Sequence, residues 1–168
     1  MSQIYNNLKS MDIKIPEPSL PLANYSPFII TNNLIFISGQ IPVVNKKVIY
    51  SGKLGKELDI DTGKEAAKLC ILNTFAILNK ATNNNLTTIK KCIKISVFIN
   101  STDNFYEQPA VADGASNLIT SLLSPGGEHS RAAISCNSLP KNSAVEIDSI
   151  FELFNWIQII ILKLILLF

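Results

Sequence analysis

The chain carries one arginine, Arg131, and one histidine, His129, two positions apart, against 14 lysines. Where lysine is the default cation, arginine adds a planar, permanently charged fork that grips a carboxylate through two parallel hydrogen bonds. Gly126-Gly127 lies just upstream. Such a pair forms either an ordinary turn or a backbone nest that accepts an anion beside the guanidinium. Glu146 and Asp148 share strand parity and so point to one face. On an open face they are solvated charges; against a subunit interface they need a role or a partner. Single histidine usage removes most histidine-based metal sites and leaves only His129 for a Ser-His-Asp triad. GxGxxG, Walker A, HExxH and metal-spaced Cys/His patterns are absent from the sequence. Arg131 and the Glu146/Asp148 pair are therefore the residues whose types and spacing could carry chemistry.

Length and composition bound the frame for these groups. The 168 residues suffice for one domain with a sizeable core. With 47% hydrophobic and 17% charged residues, disorder is excluded. A net charge of +2 gives no electrostatic reason to expect nucleic acid or an anionic membrane. Ile, Asn and Lys fill about a third of the chain, so asparagine runs need no chemical explanation. Cys70, Cys92 and Cys136 are odd in number and without CxxC spacing, which fits free thiols in a reducing, cytoplasmic setting. Cys70 and Cys92 sit in apolar patterns and read as core residues. The first residues lack the apolar run of a secretory signal.

The elements that must position the site follow from periodicity. Residues 1–23, broken by Pro16, Pro18 and Pro21, read as an extended lead-in. Runs 27–31 and 34–39, joined by Asn32-Asn33, predict a tight hairpin, with a third short strand at Val48–Tyr50. Ile60 to Ala81 predicts a long helix capped by Asp61. Residues 92–99 predict a strand with Ile93, Ile95, Val97 and Ile99 on one face. A second helix over about 106–123, with Asp103 as cap, buries Val111, Ala115, Leu118, Ile119 and Leu122. Strands at 131–136 and 144–153 close the order βββαβαββ. This predicts an α+β domain with one mixed sheet and two helices on one face.

Four blocks in this order resemble the Rid family of enamine/imine deaminases (YjgF/YER057c/UK114, with the older label "endoribonuclease L-PSP"). They are Leu34 to Pro42, ending in SGQIP; Lys94 to Asn100; Ser130-Arg131-Ala132-Ala133-Ile134; and Leu139-Pro140 with Val145 to Ile150. The resemblance covers residues 24–153. It implies a chorismate-mutase-like fold and a homotrimer with clefts at the subunit interfaces. The implied reaction is hydrolysis of 2-iminobutanoate or 2-iminopropanoate to 2-keto acid and ammonia, without cofactor or metal. Arg131 would hold the substrate carboxylate, Glu146 would position the attacking water, and Ser38 and Gly39 would line the cleft.

Three positions depart from the family pattern. Phe28 follows Pro27 where the family has a tyrosine, and Tyr25 is the nearest hydroxyl. Asp113 stands at the usual asparagine of the second helix, where an unpaired carboxylate would repel an anionic substrate. Ala133 replaces a cysteine. The lead-in, with Asn24-Tyr25-Ser26-Pro27, resembles that of a divergent Rid subgroup. The alternative reading is a non-catalytic trimer that binds small carboxylate metabolites on Arg131. A ribonuclease reading is disfavoured by the single arginine and the absence of an aromatic RNA-stacking motif.

Residues 154–168, FNWIQIIILKLILLF, extend beyond the resemblance. As a helix they would span about 22 Å, short of a hydrocarbon core of roughly 30 Å, and Lys163 interrupts them. A membrane span is therefore not expected, and the tail is expected to contribute nothing to catalysis.

Overall fold

The computed structural model describes residues 3–18 and 24–154. The reading of the apolar tail falls on 155–168, outside the described residues. Among the described residues, seven strands and three α-helices follow in the order α1 (Gln3–Ser10), β1 (Phe28–Thr31), β2 (Leu34–Gln40), β3 (Val43–Val44), β4 (Lys47–Val48), α2 (Ile60–Ala81), β5 (Ile89–Asn100), α3 (Gln108–Leu123), β6 (Ser130–Cys136) and β7 (Val145–Leu153). Five strands form one mixed sheet in the order β1-β2-β7-β5-β6. Only β5 and β6 run parallel, and α3 is the crossover between them.

The long helices cover one face. From α2, Ala66, Cys70, Ile71, Phe75 and Leu78 are buried; from α3, Val111, Ala115, Leu118, Ile119 and Leu122. They meet Ile35 and Ile37 of β2, Val145, Ile147 and Phe151 of β7, and Ile95, Val97 and Ile99 of β5. The helices approach closely because of Gly114, where a Cβ would lie 2.2 Å from the Lys64 carbonyl oxygen. Cys70 and Cys92 are free and buried in this core. Burial pushes both thiols up, that of Cys92 to about 12.

Several expectations are corrected. Residues 3–10 are helical, not extended. Ile4 and Leu8 are buried there, and prolines are absent until Pro16. The described residues thus hold three α-helices, where two were expected. Asn7 Nδ2 donates to the carbonyl oxygens of Ser121 and Leu122 at 3.0 and 3.1 Å, satisfying carbonyls left open at the end of α3. Tyr5 clamps the turn after α2, donating to Asn84 O and accepting from Leu86 N. Asn7→Ala is expected to lower the unfolding free energy by about 1 kcal/mol, measured by urea denaturation.

The third strand is Lys47–Val48, paired with β3 away from the main sheet, because Asn45 and Lys46 both take positive φ and fold the chain into a two-residue hairpin. Asp59, not Asp61, caps α2; its Oδ1 accepts from Thr62 N at 2.8 Å. Asp103 does not cap α3, whose start at Glu107 has no side-chain cap bond. In β5 the pairing with β7 shifts between Cys92 and Lys94, so Cys92 takes the core position expected for Ile93.

Candidate active site

The face of the sheet that is helix-free among the described residues carries Glu146, the expected base. Glu146 pairs across β5 with Phe98, which in turn pairs with Ile134 of β6. All three point away from the helices, since the alternate residues Val145 and Ile147 are buried beneath them. On β2, the register with β7 slips between Ile37 and Gln40. Ser38 and Gly39 thus stand together as a bulge.

This bulge shapes the seat of Glu146. A Cβ on Gly39 would lie 2.0 Å from Glu146 Oε1 and 2.9 Å from its Cδ. The carboxylate therefore occupies space that only glycine leaves open. The bulge is tied down on both sides. Ser38 Oγ donates to Ser26 O at 2.7 Å, and Ser38 N donates to Pro27 O. Gln40 Nε2 donates to the Ser38 and Gly39 carbonyl oxygens. From α2, Asn73 Nδ2 donates to Ile41 O and Val43 O, anchoring the chain that leaves β2.

Glu146 is half-buried and forms no hydrogen bond or ion pair among the described residues. Burial raises its carboxyl above the usual carboxylate range, and Asp148, two residues along on the same face, adds to the rise. Gly39→Ala would force the carboxylate aside. Because the obstructing atoms are the end of a flexible side chain, the fold should survive with a stability change under about 1 kcal/mol. The expected result is a kcat lowered roughly tenfold, since catalysis is sensitive to small displacements of a positioned group. Steady-state kinetics beside a thermal melt checks it.

Arg131 lies on the other face. Its partner on β5 is Ile95, which is fully buried under the helices. At this edge the side chain reaches α3, where Nη1 donates to Asp113 Oδ1 at 2.8 Å and to Ser116 Oγ at 3.0 Å. Asp113 is thus paired, which removes the repulsion expected of a bare carboxylate. These two bonds use both N–H groups of Nη1. Nε and Nη2, the edge that can grip a carboxylate bidentately, have no partner among the described residues. Ser116 Oγ also lies 3.0 Å from His129 Nε2, and His129 Nδ1 lies 2.6 Å from Gly127 O.

Arg131 and Glu146 are therefore not brought together within one chain. Phe28 also lies apart from Glu146. It pairs with Ile37 and packs against the core, whereas Tyr25 is 56% exposed near the start of β1. Gly126-Gly127 forms the turn, not an anion nest: Gly127 is buried against α3, where a Cβ would meet Thr120 Cα at 2.3 Å, and Gly126 O accepts from Cys92 N. Sequence reasoning missed Ser116, although it lies one helical turn after Asp113. It also assigned no role to Gln40, which braces the bulge.

The helix-free face is unusually apolar around its charges. Phe36 is 40% exposed and Ile134 is 51% exposed on it. Among the described residues, no helix is long and apolar enough to cross a membrane, and no group of three or more His, Cys, Asp or Glu is placed to hold a metal.

Residues 6–153 match the family model described as YjgF/chorismate mutase-like, which carries an endoribonuclease label. Protein TCP17 of Trypanosoma cruzi is 35% identical over 150 residues, covering 89% of this chain and 93% of that protein. Mitochondrial protein mmf1 of Schizosaccharomyces pombe is 26% identical, over 79% of this chain and 70% of its own length. A solved protein of unknown function from Agrobacterium tumefaciens is 40% identical with a TM-score of 0.84, covering 90% of this chain and 92% of its own. The YjgF gene product of Escherichia coli shares the fold with a TM-score of 0.58 at 21% identity, over 83% and 94% of the two chains.

Proposed function

The chain belongs to the YjgF/chorismate mutase-like family, which is the Rid family, and from that premise we propose that it hydrolyses small 2-imino acids to 2-keto acids and ammonia. The observation that carries this reading is the Glu146 carboxylate seated over Gly39, free of ion pairs among the described residues and raised in pKa by burial. A base of this kind is tuned toward neutral pH, where a solvated carboxylate is too weak.

The substrate is already electrophilic, so the protein needs to orient it, supply water and move protons. Arg131 binds the substrate carboxylate through its Nε–Nη2 edge and fixes the imine carbon. Glu146 accepts a proton as water oxygen bonds to that carbon and the C=N π pair moves to nitrogen. Glu146 returns that proton to nitrogen, giving the neutral carbinolamine. The carbinolamine collapses as Glu146 takes the hydroxyl proton, C=O forms and the C–N bond breaks; the same proton passes to the departing nitrogen, which leaves as ammonia. Ser38 and Gly39 present the bulge backbone to the reacting groups, and Tyr25 stands at the rim. Asp113 acts through Arg131.

Since Arg131 and Glu146 project from opposite faces of one sheet, a site using both is assembled from two chains. The exposed Phe36 and Ile134 beside half-buried Glu146 and Asp148 support the helix-free face as the surface that a neighbouring subunit covers. The working unit in this reading is a homotrimer with interfacial sites, acting in a reducing, cytoplasmic compartment on reactive products of pyridoxal-dependent dehydratases.

The test generates 2-iminobutanoate in situ with threonine dehydratase and follows 2-ketobutanoate release with and without the protein. Acceleration that saturates with substrate supports the enzyme. Binding of 2-ketobutanoate without acceleration identifies a metabolite-binding trimer instead.

A further inference from the structure

We propose that Ser116 and His129 are positioning residues that hold the Arg131 guanidinium ready for the substrate carboxylate; this rests on the reading of Arg131 as the anchor. Arg131 lies on β6, an edge strand, and its long side chain has much rotamer freedom to lose. Unless it is held, that freedom is lost when substrate binds. Asp113 supplies charge, but its side chain is 53% exposed, and an exposed ion pair alone is worth little. The second contact, from Ser116, supplies direction.

With the imidazole neutral, the partners fix the direction of each proton in this series of hydrogen bonds. Gly127 O, 2.6 Å from His129 Nδ1, can only accept, so Nδ1 carries the proton. In the neutral imidazole Nε2 is then the acceptor, and the Ser116 hydroxyl, 3.0 Å away, donates to it. The serine lone pairs are left facing Arg131 Nη1 at 3.0 Å. Without the imidazole the hydroxyl could rotate and present its own proton to the guanidinium. The far end of the series is fixed, because Gly127 is packed tightly against Thr120 of α3. Arginine, serine, histidine and the turn carbonyl thus form one directional relay that occupies Nη1 and leaves the Nε–Nη2 edge for a carboxylate.

The experiment titrates 2-ketobutanoate into the full chain and its Arg131→Ala, Ser116→Ala, Ser116→Thr and His129→Phe variants, with steady-state kinetics and a thermal melt on each. Ser116→Ala and His129→Phe are expected to weaken keto-acid binding and raise KM by about 5- to 10-fold, with kcat within about twofold. Ser116→Thr, which keeps the hydroxyl, should restore wild-type affinity. If Arg131→Ala loses binding while Ser116→Ala binds as the wild type does, the anchor stands and the relay is wrong. The relay also falls if Ser116→Ala lowers kcat at constant KM, or if Ser116→Thr fails to rescue. If Arg131→Ala binds as tightly as the wild type, the anchor reading fails and takes the relay with it. Should His129→Phe not fold, the Ser116 pair decides alone.

Discussion

Glu146→Gln is expected to lower kcat by roughly 10²- to 10⁴-fold while leaving KM for the imine nearly unchanged. Glutamine keeps the shape that fits over Gly39 but can neither take a proton from water nor return one to nitrogen. An interaction needed only in the transition state reduces kcat without weakening ground-state binding. The same substitution should make the protein more stable at neutral pH. The folded-state pKa of Glu146 is raised, so the native state binds its proton more tightly than the unfolded chain does. The penalty for holding the carboxylate charged is full above the raised pKa and is relieved as pH falls through it toward the ordinary glutamate value of 4.5. Denaturation curves of wild type and variant should therefore converge on acidification. Activity should fall over the same interval, as the base becomes protonated. A variant with unchanged kcat, or one that mainly loses keto-acid affinity, would remove Glu146 from the proton-transfer role.

Arg131→Lys is expected to raise KM by about 100-fold, and Arg131→Ala to abolish measurable turnover, with the thermal midpoint of each close to that of the wild type. Lysine retains the charge but not the fork. It cannot bond Asp113 and Ser116 with one nitrogen while offering two parallel N–H groups to a substrate. Stability should change little because the ion pair with Asp113 lies at an exposed edge. Circular dichroism and saturation kinetics together check both halves. Wild-type KM in Arg131→Lys would mean that any cation suffices there.

Much of the fold was legible because its long elements obey simple periods. The helix at Ile60–Ala81 coincides with the apolar stripe, and in β7 the alternation of Val145, Ile147 and Ser149 against Glu146, Asp148 and Ile150 matches the burial. What periodicity misses is irregular. The bulge in β5 exchanges Cys92 for Ile93, and the local sequence alternates smoothly through it. Helix α1 has only two buried residues, too few for a visible stripe, and the three downstream prolines favoured an extended reading. At the site, residue types identified Arg131 and Glu146 as the groups capable of chemistry. Their placement on opposite faces depends on the register of parallel β6, which no local pattern encodes. Asp113 read as a repulsive carboxylate because its pairing with Arg131 is a contact across 18 residues. Ser116 had no signal of its own beyond its one-turn spacing from Asp113.

Whether Arg131 of one chain works with Glu146 of another is read out by subunit mixing. Arg131→Ala and Glu146→Gln chains, each inactive alone, are unfolded together in equal amounts, refolded and assayed. Random assembly of a closed ring pairs an intact arginine with an intact glutamate at about one quarter of the interfaces. About a quarter of wild-type activity should therefore return, and be lost again when the two variants are refolded separately and assayed without exchange. No recovery from mixed oligomers, with both substitutions in place and assembly confirmed by mass, would show that the two residues serve one site within a single chain and would contradict the account.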